Sequence, residues 1–189
     1  QKLKTLDPKN EVLSIVGTNI LSTDKVQHDK KMLSLNKTYK PEDLVSWMGS
    51  NEIVSTFKID GSSCSILYRN GMLNLAKTRG DGKFGENITN KILCISHVPK
   101  KLDSYNFDLE VRGEVYCTEE NFVKLSKEME RLGLEKPSSQ RNIVAGILGR
   151  KENIELSMYL SFQAFELIGD QIKLNKETDK FKELILCII

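Results

Sequence analysis

Residues 53–78 read IVSTFKIDGSSCSILYRNGMLNLAKT, and this stretch decides the fold. Asn70-Gly71 stands between two apolar runs, 63–69 and 72–77, and both residues tolerate the positive φ that a two-residue hairpin turn demands. Residues 53–58 predict another strand just upstream, so the region reads as antiparallel sheet. That first strand ends at Lys58-Ile59-Asp60-Gly61. Along a strand, Thr56, Lys58 and Asp60 would share one face while Phe57 and Ile59 share the other. A Lys-x-Asp-Gly string arises by chance in roughly one chain in fifteen of this length, and a plain strand ending in a glycine turn would look the same. The residues around it have to decide.

Downstream, Thr78-Arg79-Gly80-Asp81-Gly82 opens a segment with three glycines between Arg79 and Gly85, and residues 86–93 predict a short helix that Pro99 ends. Residues 107–117 predict a long strand. Thr118 can cap a helix that carries Phe122, Leu125, Met129 and Leu132 on one face and stops at Gly133. Ser138 or Ser139 can cap another, running to Leu148. Residues 158–168 and 171–175 predict a second hairpin around Gly169-Asp170. Thr178 predicts a last helix that buries Phe181, Leu184, Ile185 and Ile188. Upstream, Pro41 with Leu44, Trp47 and Met48 predicts a helix whose Trp47 faces the core, as the stripe of Phe122, Leu125 and Met129 does. Residues 1–31 show weak periodicity.

At 189 residues with 39% apolar and 29% charged residues, the chain can bury one core of ordinary size. No run of 18 apolar residues occurs, so no membrane span or export signal is expected. Four dispersed cysteines and two histidines without spaced partners argue against a zinc cage or a disulfide framework and point to an intracellular, reducing compartment. A net charge of +2 is too small for binding driven by bulk charge, so any nucleic-acid contact must come from local patches.

Three sets of residues could carry chemistry. Lys58 is a candidate nucleophile; such an amine must be neutral to attack, so its pocket has to supply burial or a neighbouring positive charge. On the strand 107–117, Glu110, Arg112 and Glu114 fall on one face. Their glutamates suit a ribose hydroxyl or magnesium, although the solvated face of a half-buried sheet reads the same way. Arg79 and its glycines can approach phosphate or sugar, and Arg141 and Arg150, at the two ends of one helix, suit phosphate. His28 and His97 read as structural or surface residues.

Taken in order, Met32-Leu33-Ser34-Leu35, Lys58-Ile59-Asp60-Gly61, Thr78 to Gly82, Leu109 to Val115 and Arg141-Asn142-x-x-Ala145-Gly146-x-Leu148 resemble the adenylation domain of bacterial-type NAD-dependent DNA ligases. The likeness spans roughly residues 28–165. It implies an α+β nucleotidyltransferase fold, antiparallel sheets flanked by helices, over residues 32–189, incomplete at the C-terminal end, with 1–31 an extension or remnant of a preceding domain. It implies that Lys58 takes AMP from NAD, with Mg2+ assisting at Glu114, and that the AMP passes to the 5'-phosphate of nicked double-stranded DNA for sealing. Ser34 and Leu35 would line the adenylate site, with Thr56 beside them. Asp60 and Gly61 would support the ribose and lysine, Arg79 and Glu114 would hold ribose and phosphate, and Arg141, with Arg150, would serve later steps. A monomer is expected. Two alternatives stand beside this reading: an ATP-dependent DNA or RNA ligase of the same superfamily, and a non-catalytic nucleotide- or nick-binding module.

The chain departs from the family pattern in several places. Thr56 replaces a glutamate that helps select adenine. Ser139-Gln140-Arg141 replaces Asn-Pro-Arg, and Gly149 replaces an arginine, with Arg150 beside it. The family's nicotinamide-gripping residues have no counterpart in 1–27, and its later Asp-Gly-Val-Val-Ile-Lys strand does not appear.

Overall fold

A computed structural model describes residues 24–135 and 137–188, with backbone only for 186–188. The first 23 residues of the expected extension, and the side chains of Cys187 and Ile188, therefore lie outside the described part. Its elements are β1 (Lys25–Gln27), α1 (Pro41–Met48), β2 (Ser62–Arg69), β3 (Met72–Thr78), β4 (Phe84–Glu86), α2 (Thr89–Cys94), β5 (Leu109–Tyr116), α3 (Glu119–Arg131), α4 (Gln140–Gly149), a 3-10 turn (Ile154–Tyr159), β6 (Ser161–Ile168) and α5 (Glu177–Ile188). No described helix is long and apolar enough to cross a membrane.

The main sheet is antiparallel in the order β3-β2-β5-β6, and β1 pairs with β4 in a separate two-stranded ribbon. Asn70 and Gly71 take φ of 48° and 73°, as the hairpin reading requires. Cys64, Ile66 and Tyr68 on β2 meet Val111 and Val115 on β5 and Phe162 and Ala164 on β6 in one core, with Ile92, Leu125, Ile143 and Ile147 from α2, α3 and α4. Each valine, leucine, isoleucine or phenylalanine among them contributes about 1.5–3 kcal/mol when fully buried. Both capping expectations hold, since Thr118 Oγ1 accepts from Asn121 N at 3.2 Å and Ser139 Oγ from Asn142 N at 3.2 Å.

Several expectations fail for physical reasons. Residues 51–60 form no strand: Ile53, Val54 and Phe57 are exposed, and no described strand offers this stretch a backbone partner. The alternation of apolar residues there creates a strand-like face, but backbone pairing needs a second chain segment alongside. Residues 171–175 do not pair with β6, which pairs with β5 instead. Ile172 and Leu174 pack side chains on the core while Ile172 N bonds Gly169 O in a tight turn. Trp47 is 73% exposed, because α1 buries none of its residues. The helix expected from residue 86 starts at Thr89, since residues 84–86 pair with β1. Thr178 lies inside α5 rather than before it.

The other face of the sheet is polar and is crossed by residues 24–34, a strap that begins with β1. The strap is tied down by His28 N to Lys83 O at 2.9 Å, Met32 N to Gly82 O at 3.0 Å and Lys77 Nζ to Gln27 O at 2.8 Å. Lys77 is 1% exposed, so that carbonyl serves a fully buried ammonium. His28 reads correctly as structural: it is buried and its Nε2 lies 3.0 Å from Thr78 O. His97 lies between Phe162 N and Phe162 O and is structural too.

Candidate active site

Where β2 begins, the hairpin loop after β3 and the start of α4 converge on an open cleft of about 380 Å³. Lys58, Asp60 and Gly61 reach it from the segment before β2, Arg79 and Gly80 from the loop after β3, Glu114 from β5, and Arg141 from the first turn of α4. Four sequence segments separated by up to about 80 residues thus contribute to one lining, because β2 sits between β3 and β5 and α4 packs across their ends.

Gly61 makes this junction possible. A Cβ there would lie 2.0 Å from Val115 O, so only glycine lets the chain carrying Lys58 and Asp60 enter the sheet directly against β5. Asp60 Oδ1 stands 3.3 Å from Arg141 Nη1, with both side chains about two-thirds exposed. Glu114 is held by its neighbour across the sheet: Ser63 and Glu114 are register partners, and Ser63 Oγ donates to Glu114 Oε2 at 2.6 Å. That bond fixes one carboxylate oxygen of a residue that lines the cleft. Behind it, burial and the Glu114 charge push the Cys64 thiol well above its ordinary value.

Arg79 is presented by a shaped turn. Gly80 and Gly82 have positive φ, and a Cβ on Gly80 would lie 1.9 Å from Phe84 O. Asp81 Oδ1 accepts from Phe84 N at 2.7 Å and Lys83 N at 2.8 Å, and these amides, Phe84 first, hold its carboxyl below the usual range. From this turn Arg79 Nη1 reaches Ser34 Oγ at 3.4 Å, which brings the strap to the rim.

The structure therefore gathers Lys58, Asp60, Gly61, Arg79, Glu114 and Arg141, with Ser34 beside Arg79. It does not gather the rest. Leu35 is 84% exposed and Thr56 is exposed, neither lines the cleft, and without a strand at 51–60 no pleat places Thr56 with Lys58. Arg150 caps the far end of α4, outside the lining. Glu110 and Arg112 share the strand face of Glu114, yet they are neither solvated nor in the cleft: both are buried under the strap. Lys58 itself is exposed, so burial does not set its chemistry, and the positive neighbours in the lining are Arg79 and Arg141. Sequence reasoning missed Ser63, whose only signal is its register opposite Glu114, and Glu86, whose amide is fixed by Thr78 Oγ1 at 2.9 Å. Among the described residues no cluster of three His, Cys, Asp or Glu could hold a metal.

Comparison with known proteins identifies the family. The DNA ligase of Borrelia garinii subsp. bavariensis is 38% identical over 167 residues, covering 84% of this chain and 24% of the ligase. That of Rickettsia massiliae is 38% identical over 159 residues, 78% of this chain and 23% of the relative. That of Mesomycoplasma hyopneumoniae is 43% identical over 148 residues, 73% and 20%. The chain thus spans about a quarter of the length of these relatives. The family model for the NAD-dependent DNA ligase adenylation domain matches residues 21–186, nearly everything from the strap to α5, and the chain belongs to that family.

Proposed function

We propose that this chain is the adenylation module of an NAD-dependent DNA ligase, with the nucleotidyltransferase fold over residues 32–189 and Lys58 as the residue that carries AMP. The observation that carries the reading is the convergence of Lys58, Asp60, Arg79, Glu114 and Arg141 on one cleft. Family membership favours NAD over ATP as the donor.

In this reading NAD is a substrate. Lys58 Nζ, as the free base, attacks the α-phosphorus; a P–N bond forms, the P–O bond to nicotinamide mononucleotide breaks, and the amine proton is lost to solvent or the leaving phosphate. Arg79 and Arg141 stand where charge builds on the phosphate oxygens, and charge-assisted bonds from guanidinium are strongest to such groups. Glu114 accepts from a ribose hydroxyl through Oε1, while Oε2 stays with Ser63. Magnesium would be held by Glu114 together with the donor's own phosphates and water, since magnesium keeps several waters and needs no all-protein cage. When bound it supplies charge neutralisation at the phosphates. The AMP then passes to a 5'-phosphate at a DNA nick, and the 3'-hydroxyl displaces it.

The test is direct. Incubated with NAD and magnesium, the protein gains the mass of one AMP, and a Lys58→Ala variant gains none while unfolding at the same temperature. An adduct of equal yield on Lys58→Ala would refute the assignment.

A further inference from the structure

Beneath the strap lies a charged trio that the cleft does not use. Arg112 and Glu110, 6% and 7% exposed, form an ion pair with Arg112 Nε 2.7 Å from Glu110 Oε1. Ser65 Oγ donates to the same oxygen at 2.6 Å. The other arm of the guanidinium points away from the sheet: Nη2 donates to Lys30 O at 2.6 Å and Nη1 to Lys31 O at 3.2 Å. One residue further along, Met32 N bonds Gly82 O, and two residues after that Ser34 Oγ meets Arg79.

A buried ion pair by itself is a poor source of stability, because desolvation offsets its attraction. What a planar guanidinium offers instead is fixed geometry, since its donors diverge at set angles and each of its three nitrogens finds a partner here. Ser65 and Glu110 hold one edge of the Arg112 plane, so the carbonyls of residues 30 and 31 sit at a set height above β5. Of the side-chain anchors on the strap, Lys77 and His28 grip residues 27 and 28, whereas Arg112 grips the residues nearest Ser34.

We propose that Ser65, Glu110 and Arg112 are positioning residues for adenylyl transfer: they clip residues 30–31 to the sheet and thereby set Ser34 against Arg79 at the mouth of the donor cleft. The inference rests on the proposed function for its kinetic consequence, but its structural half stands alone.

Two variants test it in the intact protein. Arg112→Lys keeps a positive charge for Glu110, but a compact ammonium lacks the planar spread that reaches from that carboxylate to both carbonyls. The Ser65→Ala, Glu110→Met, Arg112→Met triple variant removes every buried charge of the trio, a replacement that commonly preserves or raises stability. For both, amide hydrogen exchange across residues 28–36 is expected to quicken about tenfold or more, the scale of one lost charge-assisted hydrogen bond. Exchange in α3 is expected to stay slow. The KM for NAD in lysyl-AMP formation is expected to rise by a similar factor with kcat changed less, and in the triple variant to stay high although the melting temperature is retained. A purely structural trio predicts the opposite, with KM returning along with stability. The proposal is overturned if strap exchange and KM match the unaltered protein in Arg112→Lys, or if the triple variant recovers both; should the triple variant fail to fold, Arg112→Lys decides. If the unaltered protein gains no AMP from NAD, it is the proposed function that fails, and the exchange rates alone decide the clip.

Discussion

Replacing Gly61 by alanine separates the site from the fold. The new Cβ would stand 2.0 Å from Val115 O, 2.9 Å from Val115 C and 3.1 Å from Tyr116 Cα, so the two chains must part by more than about 1 Å to restore ordinary contact. The choice of which side moves is fixed by the packing. Val115 is fully buried and is paired with Ser62 on one side and Phe162 on the other. Residues 51–60 belong to no strand and are almost wholly exposed, so the displacement falls on Lys58 and Asp60. Overpacking in a well-packed interior costs about 1–3 kcal/mol, and here one side is free to yield, which puts the loss near the lower figure. For a chain of this size that lowers the melting temperature by only about 2–4 °C. Catalysis suffers more, since misplacing a reacting group by about 1 Å can cost 100-fold. Lysyl-AMP formation from NAD, followed by intact mass against time, is expected to slow about 100-fold while the thermal transition stays cooperative. An unaltered adenylation rate would refute the reasoning; so would outright unfolding, which would mean that β5 rather than the Lys58 segment gives way.

Gly146 makes the contrasting case: it is exposed within α4, a Cβ there meets nothing within 4 Å, and Gly146→Ala is expected to stabilise by about 0.5–1 kcal/mol in urea unfolding. Trp47→Ala is expected to change stability by no more than about 0.5 kcal/mol, as at an open surface, whereas truncating a buried tryptophan costs about 3–5 kcal/mol; a thermal melt distinguishes the two, and a loss above 2 kcal/mol would show that α1 is docked. Alkaline pH is expected to weaken the fold through its buried thiols. Burial pushes Cys117 from an ordinary 9.0 up to about 11, and burial with the Glu114 charge raises Cys64 further. These thiols lose their protons more readily unfolded, so their stabilisation is complete below pH 9 and is lost as the pH climbs toward 11. Melting temperature against pH is expected to fall less steeply over that range in Cys117→Ala, and an identical slope would count against the argument.

The parts of the fold that were legible in the sequence are those in which one local signal suffices. Asn70-Gly71 names its turn because few other pairs accept two positive φ values in succession, and Thr118 and Ser139 name their helices because a hydroxyl can satisfy an otherwise unbonded amide. The failures are of another kind. Residues 53–58 and 171–175 carry the alternation of a strand, but alternation specifies faces and says nothing of which segment supplies the hydrogen bonds. Trp47 carries the spacing of a buried stripe, yet it is exposed on a helix that buries none of its residues. In the site, Lys58, Asp60, Arg79 and Arg141 were legible only together, through the order of the blocks that resemble the ligase family, since each block alone is ordinary. Ser63 was not, since a serine beside a glycine looks ordinary until the register of β2 on β5 sets it opposite Glu114.

That register also sorts the charges of β5 and its neighbours into two classes with different duties. The Asp60–Arg141 pair is about two-thirds exposed, so it contributes at most about 1 kcal/mol, and an incoming phosphate can take the aspartate's place on the guanidinium at little cost. The Glu110–Arg112 pair lies in the interior, where removing one partner strands the other and costs about 3–5 kcal/mol. In the proposed function, a site that binds and releases a nucleotide needs contacts of the first kind at its mouth and of the second kind beneath it. One strand supplies both: Glu114 stands at the open end, where β2 begins and the chain carrying Lys58 arrives, while two and four residues earlier Arg112 and Glu110 pass under the strap. The sequence Glu110-Val111-Arg112-Gly113-Glu114 puts three charges on one face; the strap's path over the sheet decides which of them faces the cleft.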